Sequence, residues 1–146
     1  MPLPLPRRDE TARHPLHARV YRLTRGNLLG RIGSQPVLLL ETIGRRTGRC
    51  RVTPLQYLAH GDSFVVVAAN HGAWRRPAWS LNLRNHPHAR LQVGPQRLHV
   101  GAREAEGRER EALWQELTTA NRYLLRVAPK AQRQLPIIVL TPEQRR

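Results

Sequence analysis

The sequence contains little cysteine, little acid and no long apolar run, and each shortage excludes a class of protein. Cys50 is the only cysteine among 146 residues, so an intrachain disulfide is excluded, and no cysteine or histidine spacing matches that of structural zinc sites. No apolar run approaches the roughly 18 residues of a membrane-spanning helix, and the N-terminus lacks the continuous apolar segment of a signal peptide. We therefore expect a soluble, cytoplasmic protein without a metal site.

Acidic residues are not only few but also unevenly distributed. The chain has 25 lysine and arginine residues against 10 acidic residues, which gives a formal charge of +15. Between Thr42 and Arg103 the only acid is Asp62, whereas ten arginines fall in that stretch. This basic middle region would attract nucleic acid, an anionic membrane surface, or a cofactor that carries phosphate and carboxylate groups.

The N-terminal part of the chain divides into an arm and the start of a single domain. Residues 1–13 contain three prolines and are predicted to form a flexible arm, and residues 14–146 are predicted to form one domain. Apolar residues at helical intervals among arginines predict a basic helix that covers the sheet or, alternatively, makes peripheral contact with a membrane. These apolar residues are Leu16, Val20, Leu23, Leu28 and Ile32.

The remaining apolar pattern predicts six strands and two further helices. The predicted strands are residues 37–41, 52–58, 63–69, 90–93, 97–102 and 137–141. Helices are predicted after Pro77 and over residues 107–121. The second and third strands are too close in sequence for the crossover helix of a parallel pair, so antiparallel pairing is expected. The expected fold is α+β and mainly β, a closed or half-open barrel with helical lids.

The first two predicted strands are joined by a loop that is rich in arginine and bracketed by glycine. We refer to residues 44–51 as the arginine loop. Its arginines are Arg45, Arg46, Arg49 and Arg51. Gly44 and Gly48 can adopt positive φ and let the chain turn tightly, so that backbone N–H groups and guanidinium groups converge on one phosphate or carboxylate. The alternative interpretation is a solvated hairpin.

A second segment, residues 65–87, combines a strand end, a loop of small residues and a short helix. The small side chains of Ala68 and Ala69 would allow a flat ring to approach the backbone closely. Trp79 and Asn82, three residues apart, would present an apolar plane and an amide on one face of the helix. Alternatively, Trp79 anchors the core and Asn82 is a cap or surface residue.

No arrangement of side chains identifies a nucleophile, a general acid or a general base. Seven histidines are present, but none is paired with a carboxylate at a recognisable spacing, and the central region has only Asp62 as an acid. The catalytic residues are therefore unknown from the sequence. If the protein is an enzyme, we expect a bound cofactor to supply the reactive atom.

Together the two segments resemble the deazaflavin (F420)-dependent nitroreductase and quinone reductase family of split β-barrel oxidoreductases, which is related to FMN-binding barrels. The family pattern Thr-x-Gly-Arg-(Lys/Arg)-(Ser/Thr)-Gly-x-x-Arg-x-Thr-Pro-Leu is matched by Thr42, Gly44, Arg45, Arg46, Thr47, Gly48, Arg51, Thr53, Pro54 and Leu55. The pattern Ala-Ser-(Lys/Asn)-x-Gly, followed by Pro-x-Trp-x-x-Asn-Leu-x-x-x-Pro, is matched by Ala68, Asn70, Gly72, Pro77, Trp79, Asn82, Leu83 and Pro87. The resemblance covers about residues 20–142.

The resemblance implies an oxidoreductase that transfers a hydride from reduced coenzyme F420 to a small organic acceptor such as a quinone or a nitroaromatic. It implies that the arginine loop holds the phosphate and acidic tail of the coenzyme, and that other matched residues line the deazaflavin ring and its ribityl chain. The implied tail contacts are Arg45, Arg46, Thr47, Gly48 and Arg51. The implied ring contacts are Thr53, Pro54, Leu55, Ala68, Ala69, Asn70, His71, Gly72, Pro77, Trp79 and Asn82.

The chain departs from the family pattern near both the coenzyme and the acceptor. Ala69 stands where many relatives have serine, and Asn70 where many have lysine. The tyrosines that contact substrate in some relatives fall near Leu124 and Val127, which favours an apolar acceptor pocket and a quinone over a polar nitroheterocycle. The predicted acceptor-binding residues are Tyr57, Trp74 and Tyr123.

Two further interpretations stand beside the reductase. A barrel of the same shape would bind FMN, haem or another ligand without this activity. A nucleic-acid-binding module would need exposed aromatic residues among the arginines, and the chain has a single phenylalanine, Phe64, and three scattered tyrosines. We therefore expect a small-molecule electron acceptor as partner and no nucleic acid. The sequence leaves the oligomeric state open.

Overall fold

The computed structural model describes residues 31–32 and 35–143. The strands are β1 (Arg31–Ile32), β2 (Gln35–Ile43), β3 (Cys50–Gln56), β4 (Leu58–His60), β5 (Ser63–Val67), β6 (His88–Val93), β7 (Gln96–Glu104) and β8 (Ile137–Pro142). The helices are α1 (Ala78–Asn85), α2 (Gly107–Ala120) and α3 (Tyr123–Ala131), with a 3-10 turn at Asn70–Gly72. The predicted arm and most of the predicted basic helix lie outside the described residues, and Ile32, expected on that helix, lies in β1.

All eight described strands belong to one antiparallel sheet. Their order is β1-β2-β6-β7-β8-β5-β4, and β3 pairs with β2. The predicted mainly β, antiparallel fold with helical lids is confirmed. The six predicted strands correspond to β2, β3 with β4, β5, β6, β7 and β8.

The sheet is curled because its two edge strands are consecutive in the sequence. Among the described strands β3 pairs only with β2, and β4 pairs only with β5, yet Tyr57 alone separates β3 from β4. The Tyr57 N–H group donates to the Pro36 carbonyl at 3.1 Å, and its ring packs edge to face on Phe64 with centroids 5.4 Å apart. The prediction of one strand over residues 52–58 was therefore wrong, since the chain turns a corner at Tyr57.

The two faces of the sheet bury two separate apolar clusters. Neighbouring residues on one strand point to opposite faces, so Val65 packs beneath α2 and α3 whereas Val66 packs beneath α1. The α1 cluster includes Leu38, Leu40, Trp79, Leu83, Leu91, Val100, Ile138 and Leu140. The cluster under α2 and α3 includes Leu113, Leu117, Leu124, Val127, Leu135, Ile137 and Val139. Each such side chain stabilises the fold by about 1.5–3 kcal/mol through burial.

Helix α3 was not predicted, because it contains Pro129, which lacks the N–H group needed inside a helix. Leu124, Val127 and Ala131 recur on one face and are buried in the core. Leu124 and Val127, the positions near which some relatives have tyrosines, thus lie in the apolar core under α3, and the apolar acceptor pocket stays a prediction. Among the described residues, no helix has an apolar stretch long enough to cross a membrane.

Candidate functional site

An open cleft of about 490 Å³ lies where the arginine loop and β3 meet α1. It is lined by Gly44, Arg45, Arg46, Thr47, Arg51, Val52, Thr53, Ala78, Trp79 and Asn82. The two segments that the sequence singled out thus form the two walls of one cleft.

Hydrogen bonds within the arginine loop give it a compact shape. Gly44 N–H donates to the Arg49 carbonyl at 2.7 Å, and Gly48 N–H donates to the Gly44 carbonyl at 2.8 Å. Of these two glycines, only Gly48 adopts positive φ, at 69°. Gly44 is needed for space, because a Cβ atom there would lie 3.0 Å from Thr47 Oγ1 and 3.1 Å from the Arg49 carbonyl oxygen.

The backbone N–H groups of this loop divide into those that donate a hydrogen bond and those that donate none within the described part of the chain. Arg45 N–H donates to Asn82 Oδ1 at 3.1 Å, and Arg49 N–H donates to Thr47 Oγ1 at 3.2 Å. The N–H groups of Arg46 and Thr47 make no hydrogen bond with the described part of the chain. These two N–H groups, beside exposed guanidinium groups, are suited to an anion.

The charge of the cleft is positive without local compensation. Three of its lining residues are the exposed arginines Arg45, Arg46 and Arg51, and no described lining residue is acidic. Glu41, the acid nearest to the loop in sequence, is paired with Arg90 on β6, with Glu41 Oε2 2.9 Å from Arg90 Nε. An anionic ligand would therefore meet no carboxylate among the described residues that line the cleft.

The opposite wall of the cleft is formed by one face of α1. Trp79, Asn82 and Leu83 lie at spacings of three and four residues, which brings them to one side of the helix. All three are buried, and Trp79 belongs to the core cluster while also lining the cleft. The indole therefore offers a firmly held apolar surface beside the basic loop.

The other predicted coenzyme contacts lie outside the cleft lining. Gly48, Pro54, Leu55 and Pro77 belong to the loop, to β3 and to the residue before α1. Ala68 is fully buried in the α1 cluster, and Ala69 packs against the other cluster. Asn70 Nδ2 donates to the Arg75 carbonyl at 3.0 Å. Gly72 has φ 82° and packs on α3, and the side chain of His71 is outside the described structure.

Arg133, which the sequence did not single out, supports the loop over residues 68–75. Its guanidinium donates hydrogen bonds to the carbonyl groups of Ala68, Ala69, Ala73 and Arg75, at 3.1 to 3.3 Å. Burial lowers the pKa of Arg133, and the nearby charge of Arg76 lowers it further. Gly44, Val52 and Ala78 also line the cleft without having been predicted to do so; Gly44 was present in the matched motif.

The predicted acceptor-binding residues are not among the lining residues of this cleft. Trp74 is 71% exposed, with the Arg75 guanidinium 4.8 Å above its ring. Tyr123 is 47% exposed at the start of α3, and Tyr57 packs on Phe64 at the corner of the sheet. Their assignment to the acceptor stays a prediction.

Within the described residues, no group of three or more histidine, cysteine, aspartate or glutamate side chains could hold a metal ion. Two histidines are close, with the rings of His86 and His88 5.5 Å apart. His88 Nδ1 lies 2.5 Å from Glu143 Oε1. Burial, and secondarily the charge of His88, lowers the pKa of His86.

Comparison with known proteins gives concordant matches over most of the chain. A family model described as F420H(2)-dependent quinone reductase matches residues 13–142. The F420H(2)-dependent quinone reductase Rv1261c of Mycobacterium tuberculosis (strain ATCC 25618 / H37Rv) is 37% identical over 131 residues, which cover 86% of this chain and 87% of the relative.

Similar folds are found among solved structures. An F420-H2 dependent reductase (FDR-A) is 29% identical and has a TM-score of 0.66, with 72% of this chain and 93% of that chain covered. The heme storage protein HutZ from Vibrio cholerae is 17% identical and has a TM-score of 0.54, with 90% and 91% covered. The second likeness concerns the fold alone.

Proposed function

Because this chain belongs to the F420H(2)-dependent quinone reductase family, we propose that it is an oxidoreductase that transfers a hydride from reduced coenzyme F420 to a quinone. The observation that carries the proposal is the single cleft that joins three exposed arginines to a buried tryptophan. Such a cleft matches a ligand that is anionic at one end and flat and apolar at the other.

The phosphate end of the coenzyme fits the arginine loop. Arg45, Arg46 and Arg51 provide guanidinium groups, and Arg46 and Thr47 provide N–H groups that make no described hydrogen bond. Thr47 Oγ1 already accepts a hydrogen bond from Arg49, so its role is to keep the loop closed. Gly48 contributes the left-handed backbone that lets the loop turn.

The ring end fits the wall made by Val52, Thr53, Ala78 and Trp79. Trp79 packs on core residues from behind, which would hold its indole still against a flat ligand. Pro54, Leu55 and the segment over residues 68–72 extend this wall in the proposal, and Arg133 supports that segment through its carbonyl groups.

When bound, the reduced deazaflavin supplies the two electrons and the hydrogen as a hydride. The chain then has to bind, orient and exclude water rather than to provide a nucleophile. The arginine loop would fix the tail, Trp79 and Val52 would shield one side of the ring from water, and the other side would receive the acceptor. Tyr57, Trp74 and Tyr123 are the proposed acceptor contacts.

The proposal is tested by titrating the purified protein with coenzyme F420 and, separately, with FMN, with ligand fluorescence as the readout. We expect saturable binding of F420 and reduction of a quinone by the reduced coenzyme. Binding of FMN without binding of F420 would mean that the chain is a barrel of the same shape with a different ligand. An assay of nitroaromatic reduction tests the alternative acceptor, and a haem titration tests the alternative in which the barrel binds haem.

The double variant Arg45→Ala/Arg46→Ala tests the tail contacts. It should weaken F420 binding by about 100-fold or more, because each lost charge-assisted contact removes about 1.5 kcal/mol or more of binding free energy. Arg97→Ala/Arg108→Ala is the matched control, since both side chains are exposed and neither lines the cleft. Equal affinities in the two double variants would refute the assignment.

A cytoplasmic location and a peripheral membrane contact are separate proposals. The membrane contact rests on the basic N-terminal sequence, which precedes the described residues. Co-sedimentation with anionic and with zwitterionic vesicles tests it, using the full chain and a variant in which Arg19, Arg22 and Arg25 are replaced by glutamine. Equal sedimentation of the two proteins would rule out this contact.

A further inference from the structure

We infer that Asn82 is a positioning residue whose side-chain amide, held by the buried hydroxyl group of Thr42, fixes the arginine loop in the shape that receives a phosphate group. The inference rests on the proposed function, since it concerns the phosphate end of the same coenzyme. It assigns Asn82 a role beyond the coenzyme contact implied by the sequence resemblance, and it adds Thr42 to the residues that determine affinity.

The amide of Asn82 bridges two parts of the chain that are distant in sequence. Its Oδ1 atom accepts a hydrogen bond from Arg45 N–H at 3.1 Å, and its Nδ2 atom donates to Thr42 Oγ1 at 3.1 Å. Thr42 is the penultimate residue of β2, and Arg45 lies in the loop that follows. One side chain on α1 is thus hydrogen-bonded both to the end of β2 and to the start of the arginine loop.

Burial and position separate the two members of this bridge. Asn82 is 3% exposed and lines the cleft, whereas Thr42 is 1% exposed and is not among the lining residues. A buried polar group without a partner is costly, so each member of the bridge requires the other. Thr42 can therefore influence a ligand only through Asn82 and the loop.

The bridge also couples the two ends of the cleft. Trp79 lies one helical turn before Asn82 on the same face of α1, so the helix that presents the indole also holds Arg45. The amide of Asn82 consequently helps to fix the distance between the apolar wall and the basic loop. A coenzyme that spans both ends gains affinity only if this distance is kept.

The matched variants Thr42→Val and Thr42→Ser test the inference. Valine keeps the shape of threonine but removes the hydroxyl group, whereas serine keeps the hydroxyl group. Binding is measured with coenzyme F420 and with its ribityl deazaflavin fragment, which lacks the phosphate and the acidic tail. We call this fragment the tailless deazaflavin. Thr42→Val should weaken F420 binding by about tenfold, the factor expected for one disrupted buried hydrogen bond. The affinity of Thr42→Val for the tailless deazaflavin should stay close to that of the unchanged protein. The affinities of Thr42→Ser for F420 and for the tailless deazaflavin should also stay close to those of the unchanged protein.

The variant Asn82→Leu tests whether both residues act through one bridge. It should weaken F420 binding at least as much as Thr42→Val, and adding Thr42→Val to it should cause little further loss, because the hydroxyl group then has no amide to hold. Additive losses would show that the two residues act separately and would overturn the inference. If Thr42→Val does not fold, Asn82→Ala gives the same comparison of F420 with the tailless deazaflavin.

The outcomes distinguish this inference from the proposed function. Absence of F420 binding by the unchanged protein would refute the proposed function before any variant is measured. Normal F420 binding by folded Thr42→Val would refute only the positioning role. An equal loss of affinity for F420 and for the tailless deazaflavin would also refute the positioning role, since that result would mean general damage to the cleft.

Discussion

Arg76 and Glu104 join the segment just before α1 to the end of β7, with Arg76 Nη2 donating a hydrogen bond to Glu104 Oε1 at 2.9 Å. Arg84 Nε lies 3.6 Å from the same oxygen. Burial lowers the pKa of Arg110, and the charge of Glu104 opposes that shift. Glu104 is therefore a counter-charge for three arginines, and it holds the helix that carries Trp79.

Replacing Glu104 by glutamine should lower the free energy of unfolding by about 1–2 kcal/mol, because partly buried arginines would lose their counter-charge. Urea denaturation at low and high salt measures the change, which should shrink at high salt. Glu111→Gln is the control, since Glu111 is an exposed residue of α2. A loss no greater than that of the control would contradict this role of Glu104.

His86 should make the protein less stable in mild acid. Burial and the charge of His88 lower its pKa below the ordinary value of 6.5, so the folded state binds fewer protons than the unfolded state. The free energy of unfolding should therefore fall as the pH drops below about 6.5 and be unaffected above it.

The variant His86→Phe, which keeps a ring but cannot be protonated, should flatten this dependence below about pH 6.5. Denaturation at several pH values measures the slope. An unchanged slope in His86→Phe would assign the acid sensitivity to another group.

Arg133 should control the opening of the loop over residues 68–75. Lysine at this position keeps the charge but cannot reach four carbonyl groups with a planar fork. Arg133→Lys should accelerate amide hydrogen exchange of this loop by about tenfold, the factor that corresponds to about 1.4 kcal/mol. Arg126→Lys, an exposed position on α3, is the control, and equal protection in both variants would refute the prediction.

Replacing the two glycines of the arginine loop by alanine should have different effects, on F420 binding at Gly44 and on stability at Gly48. In Gly44→Ala the new methyl group meets Thr47 Oγ1 and the Arg49 carbonyl, so the loop must change shape and F420 binding should weaken. In Gly48→Ala nothing lies within 4 Å of the new atom, and the left-handed backbone costs about 1–2 kcal/mol of stability. Binding and denaturation measurements on both variants separate the two effects; a larger binding loss in Gly48→Ala would contradict this division.

The strands could be predicted from the sequence because their burial is local and periodic. Val65 and Val66, or Ile137 and Ile138, show that consecutive apolar residues serve opposite faces, and such runs are readable from a short window. The corner at Tyr57 could not be predicted in this way, since residues 52–58 have the composition of one uninterrupted strand. The break depends on the position of the opposite sheet edge, which no local pattern encodes.

The candidate site was predictable only in part, for the same reason. The motifs identified the arginine loop and α1, and seven of the implied contacts line the cleft, namely Arg45, Arg46, Thr47, Arg51, Thr53, Trp79 and Asn82. The bond from Asn82 to Thr42 joins residues 40 positions apart, and that from Arg133 to Ala68 joins residues 65 apart. Hydrogen bonds of such range leave no signature in a local pattern.

The corner at Tyr57 restricts where this chain can change in length. One residue spans the gap between the two sheet edges, so an insertion there would turn every following side chain of β4 to the opposite face. The hairpin tips at Gly61 and Gly94 meet no neighbouring atoms within 4 Å of an added Cβ. We therefore expect insertions and engineered tags to be tolerated at those tips, whereas an added residue at the corner would disturb the pairing of β4 with β5.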